Sequence, residues 1–128
     1  SEGRWQIEEC FRIMKTDFEA RPVYLKRQDR ILAHFITCFI ALIVYRYLEK
    51  KLDQLVEKYD FITTRRGKGL MQGLVLEGKP VGEVVTKAIE NGLLVISAGT
   101  NVLRMVPPLV ITEADVDEMI EKLEKALV

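Results

Sequence analysis

The sequence predicts an α+β fold, with two N-terminal helices followed by a small, mainly antiparallel sheet packed by helices. Three observations carry this. Apolar residues recur at helical spacing in two segments before residue 60. Beyond that point, glycines divide the chain into short runs rich in Val, Leu and Ile. The C-terminal stretch ITEADVDEMIEKLEKALV then returns to helical periodicity behind a threonine suited to capping.

The first helix is expected from Arg4 to about Asp17, because Ile7, Phe11 and Met14 recur at spacings of four and three. Pro22 pushes Arg21 toward an extended conformation and ends it. A second helix, capped by Asp29, runs to about Tyr59 or breaks near Lys51. Its stretch Ile31–Tyr45 is almost wholly apolar, and Arg30 and Arg46 bound it. That is short of the roughly 20 residues a membrane-spanning helix needs, so a buried helix and no membrane partner are expected. The charged segment RYLEKKLD, Arg46–Asp53, is expected to lie within one unkinked helix.

RRGKGLMQGLVLEGKP reads as a turn, a strand near Gly69–Glu77, and a second turn at Gly78–Pro80. VGEVVTKAIENG reads as a short helix with Val84, Val85, Ala88 and Ile89 along one side, stopped by Asn91-Gly92. LLVISAGTNVLRMVPP reads as a hairpin of Leu93–Ser97 and Val102–Val106, ended by Pro107-Pro108 because proline has no ladder N–H. In the last helix Thr112 is the N-cap, Glu113 and Asp115 face the positive helix end, and Val116, Ile120, Leu123 and Leu127 form the buried stripe.

Composition narrows the function classes. The 128 residues are 48% hydrophobic and 30% charged, which is globular rather than disordered. Lys and Arg together number 19, as do Asp and Glu, so no net field recruits nucleic acid, although a local basic patch is still allowed. The two cysteines, Cys10 and Cys38, and the single histidine, His34, have no metal-ligand spacing. A reducing, cytoplasmic compartment follows, and SEGRWQIEE shows no signal-peptide pattern. His34, both thiols, Met71 and Met105 are expected to fill the core. Phe18–Arg30 is read as a solvated connector.

Two clusters could carry chemistry. Arg4, Glu8 and Lys15 lie at offsets of four and seven, within roughly 40° of one another on a helix. A carboxylate between cations stays ionised and can share a divalent metal with other carboxylates, and the cations can hold phosphate oxygens. The same spacing also describes an ordinary solvated ion pair. The second is Arg104 in LRMVPPL. Leu103 and Met105 should point to the opposite face from it, leaving the guanidinium to grip a carboxylate bidentately or, on an edge strand, to reach solvent.

RWQIEECFRIMKTDFEARPVY followed by DRILAHFITCFIALIVYRYLEKKL resembles the C-terminal end of insertion-sequence transposases of the Asp-Asp-Glu class, over about residues 2–50. The resemblance implies that Glu8 is the third metal-binding carboxylate of a magnesium site and that Arg4 and Lys15 touch DNA. The tyrosine of that signature would fall at Ser1, and the family's two aspartates have no counterpart, so Glu8 is expected to be inactive alone.

From about Tyr47 to Val128 the chain resembles the C-terminal small domain of class III pyridoxal-phosphate aminotransferases of the acetylornithine type. The likeness rests on YLEKKLDQLVEKYDFI, RRGKGLMQGLVLEGKP, ENGLLVISAGTNVLRMVPPL and TEADVDEMIEKLEKAL. It implies that Arg104 binds the substrate α-carboxylate. The Schiff-base lysine, pyridine-nitrogen aspartate and phosphate turn of that family have no match, so no cofactor is expected in this chain. The expectation is a chimeric fragment that is inactive alone. The alternatives are a transposase remnant with weak DNA contact and a structural protein without chemistry. Self-association through the apolar helix 31–45 is also expected.

Overall fold

The computed structural model describes residues 28–108 and 110–128. The expected first helix, Arg4 to about Asp17, lies outside them, as do Cys10 and most of the connector. The first described element is α1, Gln28–Lys58, an unbroken helix of 31 residues. Neither glycine nor proline occurs in that span, so nothing removes a hydrogen bond or adds backbone freedom. It runs through Arg46–Asp53 without the break considered near Lys51. Asp29 sits in the first turn rather than at the cap, where its charge still suits the helix dipole.

Strand β1, Ile62–Lys68, lies where a turn was expected. It pairs antiparallel with β2, Met71–Leu76, from Ile62↔Leu76 to Lys68↔Met71, with an irregularity between Ile62 and Thr64. ITTRRGK lacks clean apolar alternation because β1 is an edge strand with mostly solvent-facing side chains. Lys68 therefore ends a strand rather than lying in a turn. At Gly67, with φ 149°, a Cβ would stand 2.2 Å from the Met71 carbonyl oxygen, so the tight return to β2 needs glycine.

Helix α2, Val81–Glu90, buries Val81, Val84 and Ala88, while Ile89 is exposed rather than part of the predicted stripe. Its end is a Schellman motif. Gly92, at φ 77°, donates its N–H to the Ile89 carbonyl at 2.9 Å, and Leu93 donates to Ala88 at 2.8 Å. This departure delays the next strand, so β3 is Ile96–Ala98 and not Leu93–Ser97. It forms a hairpin with β4, Val102–Met105. Sheet order is β1-β2-β4-β3 and every pairing is antiparallel.

Helix α3, Glu113–Leu127, starts with a capping box. Asp115 N–H donates to Thr112 Oγ1 at 3.2 Å, and Thr112 N–H donates to Asp115 Oδ2 at 2.8 Å. Val116, Leu123, Ala126 and Leu127 are buried, and Ile120 is half-buried. The core joins Leu48, Leu52 and Leu55 of α1, Leu74 and Leu76 of β2, Leu103 and Met105 of β4, Val84 of α2 and Leu123 of α3. The helices thus cover one face of the sheet and leave the other open. Met105 fills the core as expected, whereas Met71 is exposed on the open face. Cys38 is buried, which pushes its thiol pKa up.

A polar cluster ties α1 to the sheet. Arg65 meets Glu49 at 3.1 Å and Asp53 at 2.6 Å, and donates to Gln72 Oε1 at 2.9 Å. Gln72, fully buried, donates in turn to the Gly69 carbonyl at 2.7 Å. Arg46 adds a 2.8 Å bridge to Glu49. On the other flank, Tyr47 donates to Asp117 at 2.5 Å and Lys58 meets Glu124 at 2.8 Å, joining α1 to α3. RYLEKKLD therefore supplies both leucines of the core and acids that hold the strand.

Burial, the Glu49 hydrogen bond and the Glu49 charge push the Tyr45 phenol well above its ordinary value, outweighing Arg46 and Arg65. A folded pKa raised above the unfolded value gives stability complete below about pH 10 and lost as pH rises beyond it. Tyr45→Phe is expected to cost about 1 kcal/mol at neutral pH and to flatten the alkaline decline. Urea midpoints measured from about pH 8 to about pH 11 check this, and parallel curves for the two chains refute it.

Candidate functional site

The open sheet face carries the one predicted site residue that the described residues contain. Arg104 lies on β4, between β2 and β3, so it is not on an edge strand. Leu103 and Met105 on either side of it are buried, and Arg104 itself is exposed. Strand alternation has aimed it away from the core, as the sequence predicted.

The pairing register gives Arg104 a companion. Arg66 of β1 pairs with Gly73 of β2, and Gly73 pairs with Arg104. Cross-strand partners share a face, so Arg66 and Arg104 flank a glycine on one row, their Cα atoms about 10 Å apart at the usual strand spacing. A Cβ at Gly73 would come within 2.9 Å of Val102 Cγ1, so the floor of this row is tight for any larger residue. Among the described residues, neither arginine has an ion-pair or hydrogen-bond partner. Arg65, one residue earlier and on the other face, is bound by two carboxylates.

A groove of about 1040 Å³ runs over this row, lined by Arg66, Lys68, Met71, Gly73, Val102 and Arg104 among others. Among the described residues no Asp or Glu lines it, and Lys68 adds a third cation. Two guanidinium forks over a glycine floor can bind a carboxylate through paired N–H donors. Among the described residues the lining holds neither a carboxylate base nor a histidine.

The turn expected at RRGKG hides Arg66, whereas Gly73 falls inside the strand expected near Gly69–Glu77. Read as a strand, the alternation of RRGKG places Arg66 opposite Arg65 and on the face of Arg104. Arg4, Glu8 and Lys15 lie outside the described residues. Within the described residues, no three His, Cys, Asp or Glu side chains gather as a metal site. His34 is half-buried in α1, its Nε2 3.8 Å from Cys38 Sγ.

Residues 40–127 match the family Aminotransferase class-III. The chain belongs to this family. Its class-III relatives include the acetylornithine aminotransferase of Caldanaerobacter subterraneus, 42% identical over 82 residues, which are 64% of this chain and 21% of that protein. The acetylornithine aminotransferase of Gloeobacter violaceus is 49% identical over 74 residues, 57% of this chain and 18% of that one. Among solved structures, N-acetylornithine aminotransferase from Stenotrophomonas maltophilia superposes with a TM-score of 0.65 at 31% identity, over 71% of this chain and 26% of that one. The chain spans about a fifth of the length of the curated relatives it matches. The class-III match begins at residue 40, inside α1 and earlier than Tyr47.

Proposed function

We propose that this chain is the substrate-carboxylate-binding part of an acetylornithine-type aminotransferase, joined through α1 to a transposase-like N-terminal fragment, and inactive alone. The observation that carries this is Arg104, exposed on an interior strand beside Arg66 and facing a groove whose described lining holds no acid. The guanidinium takes the substrate carboxylate bidentately, Gly73 leaves room for it, and Arg66 and Lys68 add positive potential. Helix α1 serves as the junction because one uninterrupted helix carries the chain into the class-III match. A cytoplasmic location accords with this reading.

In class-III aminotransferases pyridoxal phosphate supplies the electron sink for transamination. The described residues do not fit that group. Their groove offers no carboxylate for a pyridine nitrogen, and its lysine, Lys68, is exposed at the end of an edge strand. The contribution of these residues is confined to binding and orienting an anionic substrate.

Calorimetric titration with N-acetylornithine tests the reading. Arg104→Ala is expected to weaken binding by about 10- to 100-fold, the worth of a charge-assisted pair, with a smaller loss in Arg66→Ala. Equal affinity in wild type and Arg104→Ala overturns the carboxylate role. Pyridoxal-phosphate absorbance retained through purification overturns the inactivity.

A further inference from the structure

From Cys38 onward α1 has one side in the core, whereas none of its residues before Cys38 is buried. Ala41, Leu48 and Leu52 point into the core. Across the helix, Leu32, Ile36, Phe39 and Ile43 are 61%, 51%, 55% and 47% exposed. At about 100° per residue these four lie within roughly 60° of arc, centred opposite the core side. The helix is also long and apolar enough, by length and composition, to cross a membrane.

The stripe has a regular order. Asp29, Leu32, Ile36, Phe39, Ile43 and Arg46 follow one another at spacings of three, four, three, four and three. Alternation of three and four is the seam of helices packed side by side at a shallow angle, each apolar residue seating between residues of the facing helix. This order reads the same in both directions, with opposite charges at its two ends.

We propose that this stripe is the interface of a two-fold symmetric, antiparallel dimer of this chain. Two copies in antiparallel register place Leu32 against Ile43, Ile36 against Phe39, and Asp29 against Arg46, each pairing occurring twice, as an isologous contact requires. Arg46 keeps its 2.8 Å bridge to Glu49 within each chain. The seam is about 26 Å long at the helical rise, and Ile40, also exposed, widens it on one flank. A parallel pair would instead set Asp29 against Asp29 and Arg46 against Arg46, a like-charge arrangement at both ends. A lipid surface would leave the three-four order and the terminal charges without a role. The inference does not depend on the carboxylate reading, since the arginine row lies on the sheet.

Sedimentation equilibrium of the full chain is expected to show a dimer. Ile36→Glu should raise the dimer dissociation constant on the order of 100-fold, about 2.8 kcal/mol at tenfold per 1.4 kcal/mol, with an unchanged circular dichroism spectrum. Asp29→Lys should weaken the dimer less and make it less sensitive to salt. Orientation is read by oxidation. In a Cys10→Ser/Cys38→Ser background, the double variant Leu32→Cys/Ile43→Cys cross-links two chains, and Leu32→Cys alone does not. A wild-type monomer, a dimer indifferent to Ile36→Glu, cross-linking by Leu32→Cys alone, or partition of the chain into phosphatidylcholine vesicles overturns the proposal.

Discussion

Leu52→Ala is expected to destabilise the fold by about 3 kcal/mol, within the range for truncating a buried leucine. Leu52 is fully buried near the C-terminal end of RYLEKKLD, in the cluster that also holds Leu48, Leu55 and Leu123. The loss combines the transfer free energy of the deleted methyl and methylene groups with the cavity they leave. A stably placed helix and a paired sheet around the site permit little collapse into that cavity. The urea midpoint should fall with the slope unchanged, because the surface exposed on unfolding is nearly the same. A loss below about 0.5 kcal/mol, the scale of a surface substitution, would mean that α1 is an appendage rather than part of the core.

Arg65→Ala is the second large effect, expected at about 2–3 kcal/mol. Removing one partner of a fully buried ion pair costs about 3–5 kcal/mol, because the abandoned charge stays desolvated. Here the Arg65 and Glu49 side chains are 18% and 15% exposed, but Asp53 is 55% exposed, so water takes up part of the loss. Glu49 keeps Arg46, while the buried Gln72 loses one of its two partners. In a double-mutant cycle, Glu49→Gln combined with Arg65→Ala should cost less than the sum of the single changes. Urea is the denaturant of choice, since guanidinium salt would screen the interaction being measured. Additive losses would show that the cluster is not coupled.

The sequence made the helices legible wherever periodicity and caps agreed. The stretch without glycine or proline in α1, Thr112 before α3 and Asn91-Gly92 after α2 each have a local cause that acts before tertiary contacts form. Strand β1 was not legible, because an edge strand with polar outward positions lacks the alternation that marks a half-buried strand. That single misreading concealed Arg66, whose place is set by a partner strand rather than by its neighbours in sequence. The exposure of Met71 and Ile89 was hidden for a related reason: both are apolar, but which side of an element finds a partner is decided by the layer packed against it. Arg104 was legible because its two apolar neighbours fix its direction in any strand pairing.

The strand order β1-β2-β4-β3 also bears on the time course of folding. β2 meets β1 across a tight return, so that hairpin can close on the microsecond scale typical of such units. Its other neighbour, β4, arrives only after α2 and β3 have been threaded between them in the chain. The join is marked by the Leu76 N–H donating to the Asn101 carbonyl at 2.8 Å. Closing that longer loop carries the larger entropy cost, and it aligns Arg104 with Gly73. The arginine row is thus assembled in the slow step, and a chain halted before it would have Arg66 and Gly73 in place while lacking the guanidinium on which the groove depends.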